Sequence, residues 1–322
     1  MKMRMDMDNQ EQIRIDVVIP VYHPDASFPK MIKKLMHQTI RPHHIYLMQT
    51  VNGPQEALVQ PQDERISVHP VVREQFDHGG TRHLGLTMGD SPYVLFMTQD
   101  AMPADDHLLE RLAEGITQDH VAIAYARQLA REQADIVERM TREHNYPDQD
   151  RLQSLSDLET LGIKTYFCSD VCAMYRREIY EQMGGFVRPT IFNEDMIMAS
   201  RVIRAGYRVA YCSRAQVIHS HTYTCMQQFH RNFDLGASQR QYHEVFDTIS
   251  SEKTGAGYAR FMLSTLLKKG RVFKAFYFAL QCGFKLAGFK LGKRFDSLPR
   301  RLVLRCSSQK SYWEDPGHWQ VF

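Results

Sequence analysis

Tyr93-Val94-Leu95-Phe96-Met97-Thr98-Gln99-Asp100 decides how the rest of this 322-residue chain reads. Five mostly apolar residues predict a buried strand, and an acid arrives as that strand runs out. In an open parallel α/β sheet, ligands bind outside the carboxyl ends of the strands. A carboxylate there can hold a divalent cation against a phosphate. Asp100 is therefore the first candidate metal ligand, set against the plainer reading of an Asp that turns the chain before Pro103.

Upstream, residues 15–21 predict a second buried strand, stopped by Tyr22-His23-Pro24. Apolar spacing over 27–38 predicts a helix with Ser27 as N-cap. Strands are expected at 45–49 and 66–72, and a helix at 81–88 after Gly79-Gly80. Downstream, a helix is expected at 105–116 and a strand at 121–125. This alternation predicts an α/β protein of βαβ units around a mainly parallel sheet. Residues of about 127–164 turn polar and read as an insertion packed on the sheet. A strand at 166–175 and a helix at 177–183 then lead to Gly184-Gly185-Phe186. Asn193 reads as the N-cap of a helix through 204, whose first turn carries Glu194 and Asp195, where the helix dipole favours carboxylates. Two short strands, 209–211 and 216–218, end at His219-Ser220-His221.

The net charge of +3 hides an asymmetry: residues 253–310 carry 14 Lys and Arg against one acid, Asp296. Aromatic and basic residues interleave over 258–291, a pattern suited to an anionic membrane surface or to a helical pair packed on the body with a basic solvated face. No nucleic-acid motif accompanies the charge, so no nucleic-acid partner is expected. The longest uncharged run there, 275–284, has ten residues, about half of a bilayer span. The polar N-terminus lacks the apolar core of a secretory signal. Six scattered cysteines fit reduced thiols, and Cys168 and Cys172 lack the usual zinc spacing. The expected location is the cytoplasm, peripheral at the inner face of the plasma membrane. The expected division is 13–250 as the α/β domain and 251–322 as a basic amphipathic helical region.

Taken in order, these pieces resemble family-2 glycosyltransferases of the GT-A fold, a Rossmann-like architecture, over about residues 15–236. The opening strand with Pro20 and Tyr22 resembles that family's nucleotide-binding turn. Gly80-Thr81-Arg82-His83-Leu84-Gly85 resembles its glycine, Ala-Arg-Asn, glycine element. Phe96 to Asp100 stands in the place of the Asp-x-Asp metal motif, and Gly184-Gly185-Phe186 with Glu194-Asp195 resembles the segment bearing the catalytic base. More narrowly, Phe76-Asp77-His78-Gly79-Gly80-Thr81-Arg82 with Thr98-Gln99-Asp100-Ala101 is similar to bacterial rhamnosyltransferases. Three departures stand out. Thr98 replaces the first Asp of the metal motif, and Gln49-Thr50 stands where an Asp usually reads the base. Gln228-Phe229-His230-Arg231-Asn232 lacks the Trp of processive synthases.

The resemblance implies an inverting, metal-dependent hexosyltransferase. It would move L-rhamnose from dTDP-L-rhamnose onto a saccharide or lipid-linked saccharide in surface or cell-wall polysaccharide synthesis. Asp195 is then the expected base with Glu194 as fallback, since adjacent helical residues diverge by roughly 100°. Asp100, with His221 preferred over His219, would hold Mg²⁺ or Mn²⁺. Pro20, Tyr22, Gln49, Gly79, Gly80, Arg82, Thr98, Gln99, Asp100, Gln228 and Arg231 would line the donor site. The alternatives are a catalytically silent GT-A-like scaffold that binds a nucleotide-sugar or glycan, and a nucleotidylyltransferase. The latter is disfavoured by the lack of an N-terminal glycine-rich pyrophosphate loop.

Overall fold

The computed structural model describes residues 13–247 and 252–322. The polar N-terminal segment 1–12 and the domain boundary expected at 250–251 lie outside the described residues. One sheet of nine strands organises the chain: β1 (Ile15–Val21), β2 (His44–Val51), β3 (Ile66–Val72), β4 (Tyr93–Met97), β5 (Met102–Pro103), β6 (Val121–Leu129), β7 (Arg151–Gln153), β8 (Cys172–Arg176) and β9 (Arg208–Ile218). The order is β3-β2-β1-β4-β8-β6-β9-β5, with β7 beside β9. The expected parallel pairing holds across β3, β2, β1 and β4. β8 then enters antiparallel between β4 and β6, so the sheet is mixed. After β6 the chain runs through β7 toward the amino edge, and β8 starts back at the carboxyl edge, with Cys172 opposite Met97.

Helices α1 (Phe28–Met36), α2 (His78–Thr87), α3 (Leu108–Ile116), α4 (Ile136–Asn145), α5 (Leu158–Leu161), α6 (Arg177–Gln182) and α7 (Glu194–Arg204) follow the strands. β1 is covered on both faces, which explains its unbroken apolar run. Val17 and Ile19 pack with Met31, Leu35 and Leu112 on one side. Val18 packs with Phe96, Leu86 and Ile197 on the other.

Several local expectations change. Ser27 does not cap α1; its hydroxyl donates to Asp25 Oδ1 at 2.6 Å. α2 starts three residues early because Asp77 caps it, accepting from the Gly80 N–H at 2.9 Å. α3 begins at Leu108 rather than 105. Asn193 stands at φ 66 before α7 and makes no side-chain cap; its amide donates to Ser238 Oγ instead. Residues 166–171 are a turn and loop, and only Cys172–Arg176 forms strand. The two short strands at 209–218 are one, β9, which keeps pairing with β6 across a register shift after Ala126. The insertion starts beyond Leu129, because β6 carries 127–129, and its Arg151–Gln153 joins the sheet as β7.

α8 (Cys225–Gln241), α9 (His243–Phe246), α10 (Glu252–Lys268), α11 (Val272–Gly292) and α12 (Arg300–Cys306) complete the chain. α11 lies along α8 on a seam of glycines. A Cβ at Gly288, Gly292 or Gly236 would collide with the carbonyl oxygen of Phe229, Phe233 or Phe289 respectively. Beside this seam, Trp313, Phe295 and Val303 form a core with Phe233, Ala237 and Ile191. The basic C-terminal region is thus packed on the catalytic body. Among the described residues no helix is long and apolar enough to cross a membrane.

Candidate active site

A cavity of about 670 Å³ opens beside the carboxyl ends of β4 and β6, and both Asp100 and Asp195 line it. The end of β4 delivers Thr98 and Asp100; the end of β9 delivers His219 and, past Ser220, His221. His221 Nε2 lies 3.0 Å from Asp100 Oδ2 and His219 Nε2 lies 3.5 Å from it. Both histidines converge, not His221 alone. One carboxylate oxygen and two imidazole nitrogens within 4.8 Å of one another fit the donor set of a divalent cation.

The surroundings aim these ligands. His219 Nδ1 lies 3.0 Å from Gln128 Oε1, so an Nδ1–H donating to that oxygen leaves Nε2 as the lone-pair atom. The Gln128 amide donates to Tyr146 Oη and Ser169 Oγ, and its oxygen also accepts from Arg142. Glu138 on α4 holds the ligand loop by accepting from Ser220 Oγ at 2.6 Å and the His221 N–H at 2.8 Å. Burial opposes the Asp100 charge, but the two imidazoles beside it hold its carboxyl well below the usual range. Burial lowers His219. A second grouping, Asp16, His43 and Asp90, sits at the amino end of β1. There Asp16 is already engaged by Ser91 and Arg177.

Across the cavity, three acids surround one buried cation. Arg82 Nη1 donates to Glu194 Oε1 at 2.9 Å and to the His78 carbonyl at 3.0 Å. Its Nε stands 3.7 Å from Asp170 Oδ2. Arg82, which lines the cavity, thus neutralises Glu194. That leaves Asp195 as the acid without a cation of its own. Asp195 Oδ2 accepts from the Asp170 N–H at 3.2 Å, and Oδ1 from the Met196 N–H at 2.7 Å. Its enclosure, then the neighbouring Glu194 charge, push its pKa up to about 7. Burial also pushes Asp170 well above the carboxylate range, and Tyr175 Oη donates to it at 2.6 Å. Asp170 Oδ2 and Arg82 Nε have no hydrogen-bond partner.

The remaining expected donor residues divide. Gln99 faces away from the cavity: its amide clamps the Tyr22 backbone, accepting from N–H and donating to C=O, both at 2.8 Å. Gln49 does not line this cavity, and its amide bonds at both ends to its own loop. It donates to the Ala57 carbonyl and accepts from the Val59 N–H. Tyr22 is exposed, with Arg73 over its ring at 5.9 Å, while Pro20 lies inside β1. Gly79 and Gly80 belong to the first turn of α2, away from the cavity lining. A Cβ on Gly79 would stand 2.7 Å from the Val187 carbonyl, so glycine is there for packing. Arg231 lines the cavity and stacks on Phe192 and Tyr223, whereas Gln228 faces an adjoining cavity. Thr98 lines the cavity with its buried hydroxyl unpartnered.

Three residues went unread in the sequence, Asp170, Gln128 and Gln309, and His78 was quoted there without a role of its own. Gln309 comes from beyond α12 and reaches His78 Nε2 at 2.9 Å, so the C-terminal region walls the cavity. His78 is driven down to about 4 by burial.

Comparisons with known proteins identify the family. Residues 16–184 match the family Glycosyl transferase family 2. The chain is 34% identical over 308 residues to the O-antigen chain rhamnosyltransferase RfbN of Salmonella typhimurium, covering 94% of this chain and 97% of that protein. It is 39% identical over 246 residues to the O-antigen chain rhamnosyltransferase WbaN of Salmonella anatum, covering 75% and 77%. The crystal structure of the mannosyltransferase PcManGT from Pyrobaculum calidifontis superposes with a TM-score of 0.51 over 95% of this chain and 84% of that one; at 9% identity this bears on fold alone. The chain belongs to glycosyl transferase family 2, enzymes that move a sugar from a nucleotide donor to an acceptor, and it is related to the bacterial rhamnosyltransferases of polysaccharide synthesis.

Proposed function

We propose that this chain is an inverting, divalent-metal-dependent rhamnosyltransferase. It takes L-rhamnose from dTDP-L-rhamnose and adds it to a lipid-linked saccharide of a bacterial surface or cell-wall polysaccharide. The observation that carries the transferase reading is one cavity bordered on one side by Asp100, His219 and His221 and on the other by Asp195. The two relatives' names support rhamnose as the sugar.

Asp195 accepts the proton of the acceptor hydroxyl as its oxygen bonds to the anomeric carbon and the bond to the nucleoside diphosphate breaks. A pKa near 7 suits this, because the group is ionised when attack begins yet basic enough to take the proton. The two backbone N–H bonds fix its carboxylate plane. Glu194 cannot compete, since Arg82 holds it. Asp100, His219 and His221 would hold Mn²⁺ or Mg²⁺, and the imidazoles favour Mn²⁺. The cation, when bound, supplies charge stabilisation to the departing diphosphate. Arg231 stands beside it without a carboxylate partner among the described residues and adds positive charge there.

Nucleotide release should be measured across a panel of nucleotide-sugars with Mn²⁺, Mg²⁺ or EDTA. dTDP-L-rhamnose with Mn²⁺ should be fastest, and EDTA should abolish release. Asp195→Asn should lose about 10²–10⁴-fold in turnover with donor affinity retained. Faster release from another donor would refute rhamnose. Full turnover in Asp195→Asn would refute the base. A protein that binds donor but never releases nucleotide would restore the silent-scaffold alternative.

A further inference from the structure

A second cavity, of about 320 Å³, adjoins the first and shares His219, His221 and Arg231 with it. Its far wall is α11, through Tyr277, Gln281 and Lys285. The acids that line this cavity are already engaged. Asp135 caps α4 and pairs with Lys274 at 3.1 Å, and Glu138 accepts from Ser220 and His221. Arg142 lies 4.0 Å from Glu138. Arg231 and Lys285 have no carboxylate partner among the described residues. Burial pushes the Lys285 ammonium down, and the Arg231 charge adds to that. Two like charges facing one enclosed space raise its free energy until an anion arrives.

The same helix carries a second, independent feature. Phe273 is 92% and Phe276 73% exposed, and Val272, Tyr277 and Leu280 are exposed with them. Spacings of three, four and seven put 273, 276, 277 and 280 on one helical face. Lys268, Lys269 and Arg271 stand in the turn that leads into it. An aromatic face of this kind beside a basic cluster matches the surface of an anionic bilayer. Tyr277 belongs to both features: it lines the cavity and it is exposed on the aromatic face.

We propose that this second cavity seats the phosphate or diphosphate headgroup of an amphiphilic lipid, held by Lys285 and Arg231. The hydrocarbon chain leaves past Tyr277 along the Phe273–Phe276 face into an anionic membrane. That this lipid is the acceptor's anchor rests on the transferase reading; the headgroup site itself does not. The glycan attached to such a headgroup would start next to the shared His219 and His221, at the mouth of the catalytic cavity.

Binding should be measured by calorimetry on the full chain in EDTA, with no donor present. Farnesyl diphosphate, farnesol and inorganic pyrophosphate are the probes. Farnesyl diphosphate should bind, and farnesol and pyrophosphate should each bind at least about tenfold more weakly. Lys285→Gln should weaken farnesyl diphosphate about tenfold or more, and Lys285→Arg should keep it. Phe273→Glu with Phe276→Glu should abolish co-flotation with phosphatidylglycerol vesicles. Pyrophosphate binding as tightly as farnesyl diphosphate would overturn the lipid assignment. Indifference of farnesyl diphosphate to Lys285→Gln would overturn the site. Unchanged flotation of the double variant would overturn the membrane face. A chain that binds farnesyl diphosphate in this way yet releases nucleotide from no donor would sink the transfer reading and leave the headgroup site standing.

Discussion

Glu194→Gln tests the electrostatics of the acid cluster more sharply than removal of the base itself. Asp195 rises from an ordinary carboxylate value of 3.8 to about 7, with burial as the larger cause and the Glu194 charge as the second. A neighbouring charge shifts a buried carboxyl by on the order of one pH unit or more. Replacing Glu194 by a neutral amide of the same shape removes that repulsion. It also frees the Arg82 guanidinium, now paired at 2.9 Å, to act on Asp195 in the same direction. The acid limb of kcat/KM, read from nucleotide release between pH 5 and 9 with saturating Mn²⁺, should therefore move from about 7 to about 6. At pH 6 the wild type would run at about a tenth of its plateau and the variant at about half. A midpoint that does not move would refute the coupling. A midpoint that follows Mn²⁺ concentration would assign the limb to the ligand histidines instead of Asp195.

Two further outcomes follow from the same geometry. The folded-state pKa of Asp195 lies above its unfolded value, so the native state binds the extra proton between about 4 and 7 and ionised Asp195 burdens the fold above that range. Asp195→Asn should thus melt a few °C higher than wild type at pH 8, with the gain smaller at pH 5 and gone below about pH 4, as scanning calorimetry would read; a gain larger at pH 5 would contradict it. Gln128→Leu should leave the fold intact but weaken Mn²⁺ binding about 10–100-fold in a titration, since His219 loses the partner that orients it. Unchanged affinity would mean that His219 is not a ligand.

Much of the frame was legible because it depends on local pattern. β1 and β4 are apolar on both faces and read as buried strands from composition alone. Asp100, His219 and His221 were legible because each stands where a strand runs out. Asp195 was legible from its place after a glycine stop. What escaped depends on distance in sequence. Asp170 sits in the run 166–175, which looks like one continuous strand; the loop exists because β8 must start opposite Met97. Gln309 meets His78 across 231 positions, and no spacing rule reaches that far. Arg82 was read as a donor-site residue beside a glycine-rich turn; its partner is 112 positions away, so its pairing with Glu194 was invisible. The contacts of Gln49 were hidden for the same reason on a shorter scale: its amide bonds to a loop whose path its neighbours do not encode.

The glycine contacts between α8 and α11 have a mechanical consequence. Where main chain meets main chain, no side-chain rotamer is left to soak up a shift. A tilt or slide imposed on α11 from outside would be handed on undiminished to α8, and with it to Arg231 at the mouth of the catalytic cavity. The aromatic face and the reaction centre therefore sit at two ends of one stiff lever.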